Sequence, residues 1–200
     1  AYNIAIGHDA GLSVTTGVEN ILIGGSAGDA LTTGQYNIAM GKGALSTEDT
    51  GSRNTAIGHA ALNALNYDGN GYNTALGFWA GLSVTTGTNN ALVGALAGDS
   101  LTTGSHNTAI GFQALSLEDE HGFNVAIGKS ALENLNAGAD AYNVAVGFGA
   151  GELMTTGVEN AIIGGLAGDA VTTGSYNAVL GTSALGANTK SNANVAIGNS

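Results

Sequence analysis

Hydrophobic and polar positions alternate over short segments of the form N-x-A-[IVLM]-G that recur along the whole chain. In each segment an asparagine precedes a variable position, a position that is mostly alanine, a large aliphatic residue and a glycine. This period of two, rich in β-branched residues, predicts a four-residue strand that ends at the glycine. A helix is disfavoured, because a glycine in a helix interior costs ~1 kcal/mol relative to alanine.

The asparagines define the repeat length. They follow one another in steps of 17, 17, 17 and then 19, so that four units make a cycle of 70. Units of the smaller step are called short coils here, and units of the larger step long coils. We interpret residues 1–200 as a single repeat domain with superrepeats 1–70, 71–140 and an incomplete 141–200. The twelve asparagines are Asn3, Asn20, Asn37, Asn54, Asn73, Asn90, Asn107, Asn124, Asn143, Asn160, Asn177 and Asn194.

A unit this short cannot fold alone and must stack on its neighbours. Stacked coils at the ~4.8 Å spacing of neighbouring strands place equivalent residues in columns. We expect the large aliphatic residues, such as Ile110, to form an inward ladder, and the alanines, such as Ala109, to line the opposite face. The asparagine side chains are expected to form a hydrogen-bonded ladder.

A second apolar position precedes a turn-like "TTG" in many units, as at Val14 and Leu31, and predicts a second short strand. Each unit then consists of two short strands and two turns. The fold class is therefore all-β, a parallel β-solenoid of about twelve coils of the two lengths.

Composition narrows the function classes. The net charge of −11 would repel nucleic acid and the anionic surface of a membrane, so neither partner is expected. No apolar run approaches the ~20 residues that cross a bilayer, which argues against membrane insertion. The chain contains no cysteine, which excludes disulfides and thiolate metal sites.

Motifs that would carry chemistry are incomplete. Residues 122–130, "GFNVAIGKS", have one residue too many between the glycines for a phosphate-binding loop. Residues 66–71, "NYDGNG", imitate the start of a calcium loop, but Gly77 stands where the distal glutamate belongs. No metal or cofactor is therefore expected.

The acidic and histidine residues also lack a catalytic arrangement. Asp29, Asp99 and Asp169 recur four coils apart, roughly 19 Å, which is too far for a shared site. The acids around Glu118 and His121 are expected to form a solvated loop. The sequence therefore predicts a protein that is not an enzyme.

An aromatic stripe is the candidate binding feature. Most residues that directly precede an asparagine are aromatic, and such side chains in a row can stack on sugar rings. The alternative is that the stripe covers a seam between chains, and both interpretations remain open. The stripe consists of Tyr2, Tyr36, Tyr72, His106, Phe123, Tyr142 and Tyr176.

The repeats "NTAIGHAAL", "NTALGFWAG", "NTAIGFQAL" and "NVAIGKSAL" resemble those in the heads of trimeric autotransporter adhesins. They resemble still more the N-T-A-[IL]-G-x-x-A-L arrays of phage and bacterial tail-fibre proteins, over essentially the whole chain. The resemblance implies a left-handed parallel β-roll, a homotrimer, and an extracellular location on a cell surface or virion. The unit here is longer than the adhesin head repeat, and its asparagine lies differently relative to the Ala-Ile-Gly.

We therefore expect a non-catalytic structural or adhesive segment of a longer fibre. Its partners would be copies of itself, as a homotrimer or another filament, and a cell-surface glycan or receptor. A flat alanine and glycine face is expected to form the seam between chains. Two alternatives are an ice-binding solenoid, suggested by threonines such as Thr15 and Thr32, and a polysaccharide depolymerase on a repeat scaffold. The depolymerase would need a carboxylate pair in one groove.

Overall fold

The computed structural model describes residues 2–199 as a stack of coils joined by one parallel sheet. Each strand pairs with its neighbours in chain order, and no helix that could cross a bilayer occurs among these residues. The expected all-β solenoid is confirmed. The strands are β1 Ile4–Ile6, β2 Ile21–Ile23, β3 Ile38–Met40, β4 Thr55–Ile57, β5 Thr74–Leu76, β6 Ala91–Val93, β7 Thr108–Ile110, β8 Val125–Ile127, β9 Val144–Val146, β10 Ala161–Ile163, β11 Ala178–Leu180 and β12 Val195–Ile197.

The strand register follows the repeat through both coil lengths. Thr108 pairs with Val125 across a short coil, and Thr55 pairs with Thr74 across a long coil. The additional residues of the long coils therefore lie outside the sheet. Equivalent positions remain in columns along the whole stack.

The backbone between strands is a run of turns, so the expected second strand is wrong. Its amides alternate between two partners: Ala27 N–H donates to Gly24 O in its own coil, and Gly28 N–H donates to Ala44 O in the next. Ser26 and Gly28 have φ of 54° and 55°. A coil this small must bend repeatedly, and these left-handed residues bend the chain where a strand would continue straight.

The expected orientation of the strands is also wrong. Ala109 is fully buried, whereas Ile110 is 38% exposed. From β2 to β11 the middle residue of each strand is buried, and its two neighbours are half-buried or exposed. The alanine column points into the coil and the large aliphatic column points outward.

The narrow interior explains this orientation. Where the middle of a strand is a large residue, such as Leu22, a glycine lies across the coil, and a Cβ on Gly28 would lie 2.8 Å from a Leu22 methyl group. In other coils the strand supplies an alanine, such as Ala39, and the equivalent turn position holds a leucine, such as Leu45. Where both positions are small, as at Ala75 and Gly81, a leucine of the next coil fills the space, and a Cβ on Gly81 would lie 2.7 Å from a Leu92 methyl group. The interior is therefore narrow, and the large residue at the end of the strand faces outward.

The glycine after each strand permits the coils to approach closely. Gly94 has a φ of 131°, and a Cβ there would lie 2.5 Å from the carbonyl oxygen of Gly111 in the next coil. No side chain fits this column of glycines.

The asparagines form a buried column that bonds in two directions. Asn107 N–H donates to Oδ1 of Asn90 at 2.9 Å, and Oδ1 of Asn107 accepts the N–H of Asn124 at 3.0 Å. Its Nδ2 donates to the carbonyl of His121 at 3.1 Å, at the far end of the same coil. One side chain therefore holds adjacent coils together and closes its own.

We predict that Asn107→Ala lowers the free energy of unfolding by ~1–3 kcal/mol, because the buried N–H of Asn124 and the half-buried carbonyl of His121 lose their partners. Denaturant titration would measure the loss. Thr108→Ala, on the half-buried outer face, is the control. A loss no larger than that of the control would contradict the role of the amide.

We predict that Ala109→Leu destabilises the single chain by ~1–3 kcal/mol, because Ala109 is fully buried and pairs in register with Leu92. Ile110→Val, on the outer face, should cost less. Melting temperatures measured over a range of protein concentrations test this. A loss of stability in Ala109→Leu that appears only in an oligomer would contradict the buried position of Ala109 and would place it on the surface of the coil.

Candidate functional site

The residues that precede the asparagines form an exposed column along one edge of the stack. Their amides bond from coil to coil, as in Phe123 N–H to Ser105 O at 3.2 Å and Tyr176 N–H to Val158 O at 3.0 Å. From Tyr36 to Tyr176 they share a left-handed backbone, so their side chains leave the coil in one direction. All seven residues of the aromatic stripe are exposed: Tyr2, Tyr36, Tyr72, His106, Phe123, Tyr142 and Tyr176.

Three rings of this aromatic column stack on one another. The centroids of His106 and Phe123 are 5.0 Å apart at an interplanar angle of 12°, and those of Phe123 and Tyr142 are 4.9 Å apart at 14°. Both faces of the Phe123 ring are therefore covered by neighbours. A sugar approaching Phe123 would meet the ring edge, which restricts the glycan stacking expected there.

A guanidinium lies between two other rings of the column. The Arg53 carbon Cζ is 5.1 Å from the centroid of Tyr36 and 6.0 Å from that of Tyr72. The guanidinium also donates to the side-chain oxygen of Asn70. Arg53 belongs to this column because it directly precedes Asn54, but it was not predicted since it is not aromatic.

A second group of rings follows the glycines. His59 stacks on Phe78 at 5.4 Å, and Phe78 stacks on Trp79 at 4.7 Å. His8 forms an exposed contact of 2.9 Å with Asp9. These histidines pack against aromatic and acidic neighbours on the surface.

Two glutamates occupy the apolar interior column that also contains Leu31 and Leu65. Glu48 accepts the N–H of Gly51 at 2.6 Å and, through its other oxygen, the N–H of Tyr67 at 3.2 Å. Tyr67 belongs to the long coil that follows. The carboxylate therefore binds an amide of that long coil.

Glu118 repeats this arrangement one cycle later. Its carboxylate accepts the N–H of Ala137 and contacts His121, each at 3.3 Å. The expectation that Glu118 belongs to a solvated loop is wrong, because it is fully buried. The spacing that places Glu118 in the same interior column as Leu31 and Leu65 could have predicted its burial, but the polar residues around it suggested an exposed loop.

Burial dominates the electrostatics of both glutamates. It raises the pKa of Glu48, which the hydrogen bonds from Gly51 and Tyr67 oppose. It also raises the pKa of Glu118, which the hydrogen bonds from Ala137 and His121 oppose. Ligand atoms of Glu118, Asp119 and His121 lie within 4.8 Å of one another. The hydrogen bonds to the Glu118 oxygens close a loop, and this explains why the three side chains lie close together.

The other predicted features lie apart. Asp99 accepts the hydroxyl of Ser116 at 2.6 Å, and its equivalents Asp29 and Asp169 are each four coils away, roughly 19 Å. Thr15 donates its hydroxyl to the carbonyl of Thr32 at 3.1 Å, so the first threonine of this motif contributes to coil stacking. A cavity of about 720 Å³ is an open notch lined by Ser183 and residues 185–191.

No protein-family model, curated protein or solved structure matches this chain.

We predict that stability falls as the pH rises above about 4.5, the ordinary pKa of a glutamate. In the folded chain the pKa values of Glu48 and Glu118 are raised, so the folded state holds more protons in this window. Their contribution is complete below the unfolded pKa and is lost as the pH rises through the folded pKa.

Melting temperatures between pH 4.5 and 6 test this. The double variant Glu48→Gln, Glu118→Gln should show a shallower decline than the parent. Glu120→Gln, at an exposed position, should retain the parent slope. Parallel profiles for the parent and the double variant would refute the assignment.

Proposed function

We propose that this chain is a non-catalytic structural and adhesive rod segment that assembles with copies of itself through the outer face of its sheet. The observation that carries the proposal is the chemistry of that face. Its residues are aliphatic except for three threonines, and every acidic or basic residue of the chain lies outside the strands. Examples of the outward residues are Ile38, Met40, Thr108, Ile110, Ile163 and Leu180.

The dimensions of the outer face favour another protein as its occupant. Eleven strand steps of ~4.8 Å make it roughly 53 Å long, and three-residue strands with their side chains make it roughly 10 Å wide. Monomeric proteins rarely expose an apolar patch above a few hundred Å². This face, at roughly 500 Å², is large enough to mark an interaction site.

A second copy of the chain is the occupant that fits best. The face is uncharged and repetitive, so a copy presents a matching surface at the same ~4.8 Å spacing. The seam is then aliphatic, since the alanine column expected to form it lies inside each coil. A homotrimer on a cell surface or virion is the assembly implied by the resemblance to tail fibres and adhesin heads.

The observed carboxylates do not favour the depolymerase alternative. Glycosidic cleavage uses two carboxyl groups roughly 5–10 Å apart. Glu48 and Glu118 are four coils apart, roughly 19 Å, and their oxygens accept backbone N–H groups. Asp119 has a ligand atom within 4.8 Å of Glu118, but Glu118 is fully buried and does not face a groove. Ice binding is likewise not favoured, because the hydroxyls of Thr15 and Thr85 in the TTG motifs donate to carbonyls of the next coil.

Light scattering after size-exclusion chromatography tests the assembly. We expect the parent to have the mass of two or more chains of 19.5 kDa, and Ile110→Asp to have the mass of one chain. A carboxylate buried in an apolar interface costs several kcal/mol per chain, because it loses its hydration.

Thr86→Asp is the matched control, since it adds the same charge at an exposed position away from the outer face. It should leave the mass unchanged. A parent of single-chain mass at micromolar concentration, or an Ile110→Asp variant of parental mass, would contradict the proposal.

A further inference from the structure

We infer that the aromatic column contains a binding slot for a guanidinium group, formed by Tyr142 and Tyr176 with Glu159 between them. A second slot of the same composition is formed by Tyr2, Glu19 and Tyr36. These slots are properties of a single chain and do not depend on the proposed self-assembly.

The chain itself shows how a guanidinium fits such a place. In the segment of the column formed by Tyr36, Arg53 and Tyr72, the guanidinium lies 5.1 and 6.0 Å from the two ring centroids. Cation–π attraction acts within about 6 Å of a centroid. Both rings therefore bind the same cation.

The segment formed by Tyr142, Glu159 and Tyr176 has the same backbone and the opposite charge at its centre. Its φ values are 52°, 56° and 60°, close to those of the Tyr36 segment. Glu159 N–H donates to Ala141 O at 2.7 Å, which keeps the column in step. Two strand steps separate the tyrosine positions, roughly 9.6 Å, so a cation between them would lie roughly 5 Å from each ring.

The slot is accessible, and the remaining charges favour a cation from another molecule. Tyr142 and Tyr176 are 53% and 57% exposed, and Glu159 is exposed. Phe123 covers one face of Tyr142, which leaves its other face toward Glu159. Of the four basic residues, Arg53 and Lys129 already lie over rings of this chain.

A guanidinium is the chemical class that matches these groups. It is planar and stacks on aromatic faces, and its N–H groups pair with a carboxylate. The source is either a free guanidinium compound or an arginine side chain displayed by another protein.

The slot between Tyr72 and His106 provides an internal comparison. Its central residue is Asn89, which carries no charge, so the two rings there lack a carboxylate. We expect the acidic slots to bind a guanidinium more tightly than this neutral slot.

Ligand-observed NMR with N-acetyl-arginine methylamide tests the inference, with guanidinium chloride in a second arm. We expect saturation transfer to the C–H protons of the arginine ligand, and loss of that signal when guanidinium chloride is added as a competitor would show that the free ion suffices. The double variant Glu19→Gln, Glu159→Gln should bind about fivefold more weakly, because it loses the carboxylates. The double variant Glu19→Arg, Glu159→Arg should retain at most the weak binding of the neutral slot, since its own guanidinium groups would fill the acidic slots.

The matched control is Glu120→Gln, Glu133→Gln, which removes the same charge outside the aromatic column. Equal weakening by both Gln pairs would show diffuse attraction to an acidic protein and overturn the slot. Parental affinity in the double Arg variant, or no binding in either the parent or Ile110→Asp, would also overturn it. Binding by Ile110→Asp but not by the assembled parent supports the slot and places it beneath a seam between chains.

Discussion

The buried asparagine amide is the interaction on which the architecture depends. A short coil must be tied to its neighbours and also closed at its corner, and its backbone alone leaves polar groups at that corner unpaired. In Asn107 the amide oxygen accepts the N–H of the next coil, while the nitrogen donates to the carbonyl of His121 at the far end of its own coil. In a long coil the amide nitrogen uses a different acceptor: Asn54 Nδ2 donates to the carbonyl of Ser52. This adaptation keeps the strand register through a change of coil length.

Once the register is fixed, each column has one environment, and the narrow interior selects its residues. Leu22 faces Gly28, and Ala39 lies in a coil whose leucine comes from the turn. In the long coil the N–H of Tyr67 donates to the carboxylate of Glu48 and not to a neighbouring backbone carbonyl. This hydrogen bond opposes the cost of burying the carboxylate. A charged group in an apolar column is therefore a consequence of the irregular coil length.

The sequence was sufficient to predict the period and the parallel all-β stack, because these follow from spacing and β-propensity. It was insufficient for the orientation of the strands. A period of two shows that Ala109 and Ile110 face opposite ways, but both are apolar, so hydrophobicity alone does not decide which is inside. The cross-section of the coil decides, and it depends on side chains elsewhere, such as Leu115. Glu118 was hidden for a related reason, since its burial follows from its column and not from the polar residues beside it.

The outward turn of the large residues separates the surface into two chemistries. The sheet face is aliphatic, while the column before the asparagines combines rings, Arg53 and acids such as Glu159. A repeat also fixes distances: Glu19 and Glu159 are eight strand steps apart, roughly 38 Å along the stack. A ligand with two cations at that spacing would bind both slots, and the second contact would be intramolecular. A rigid rod can thus gain avidity from weak sites, because the register that aligns the asparagines also sets the separation of the slots.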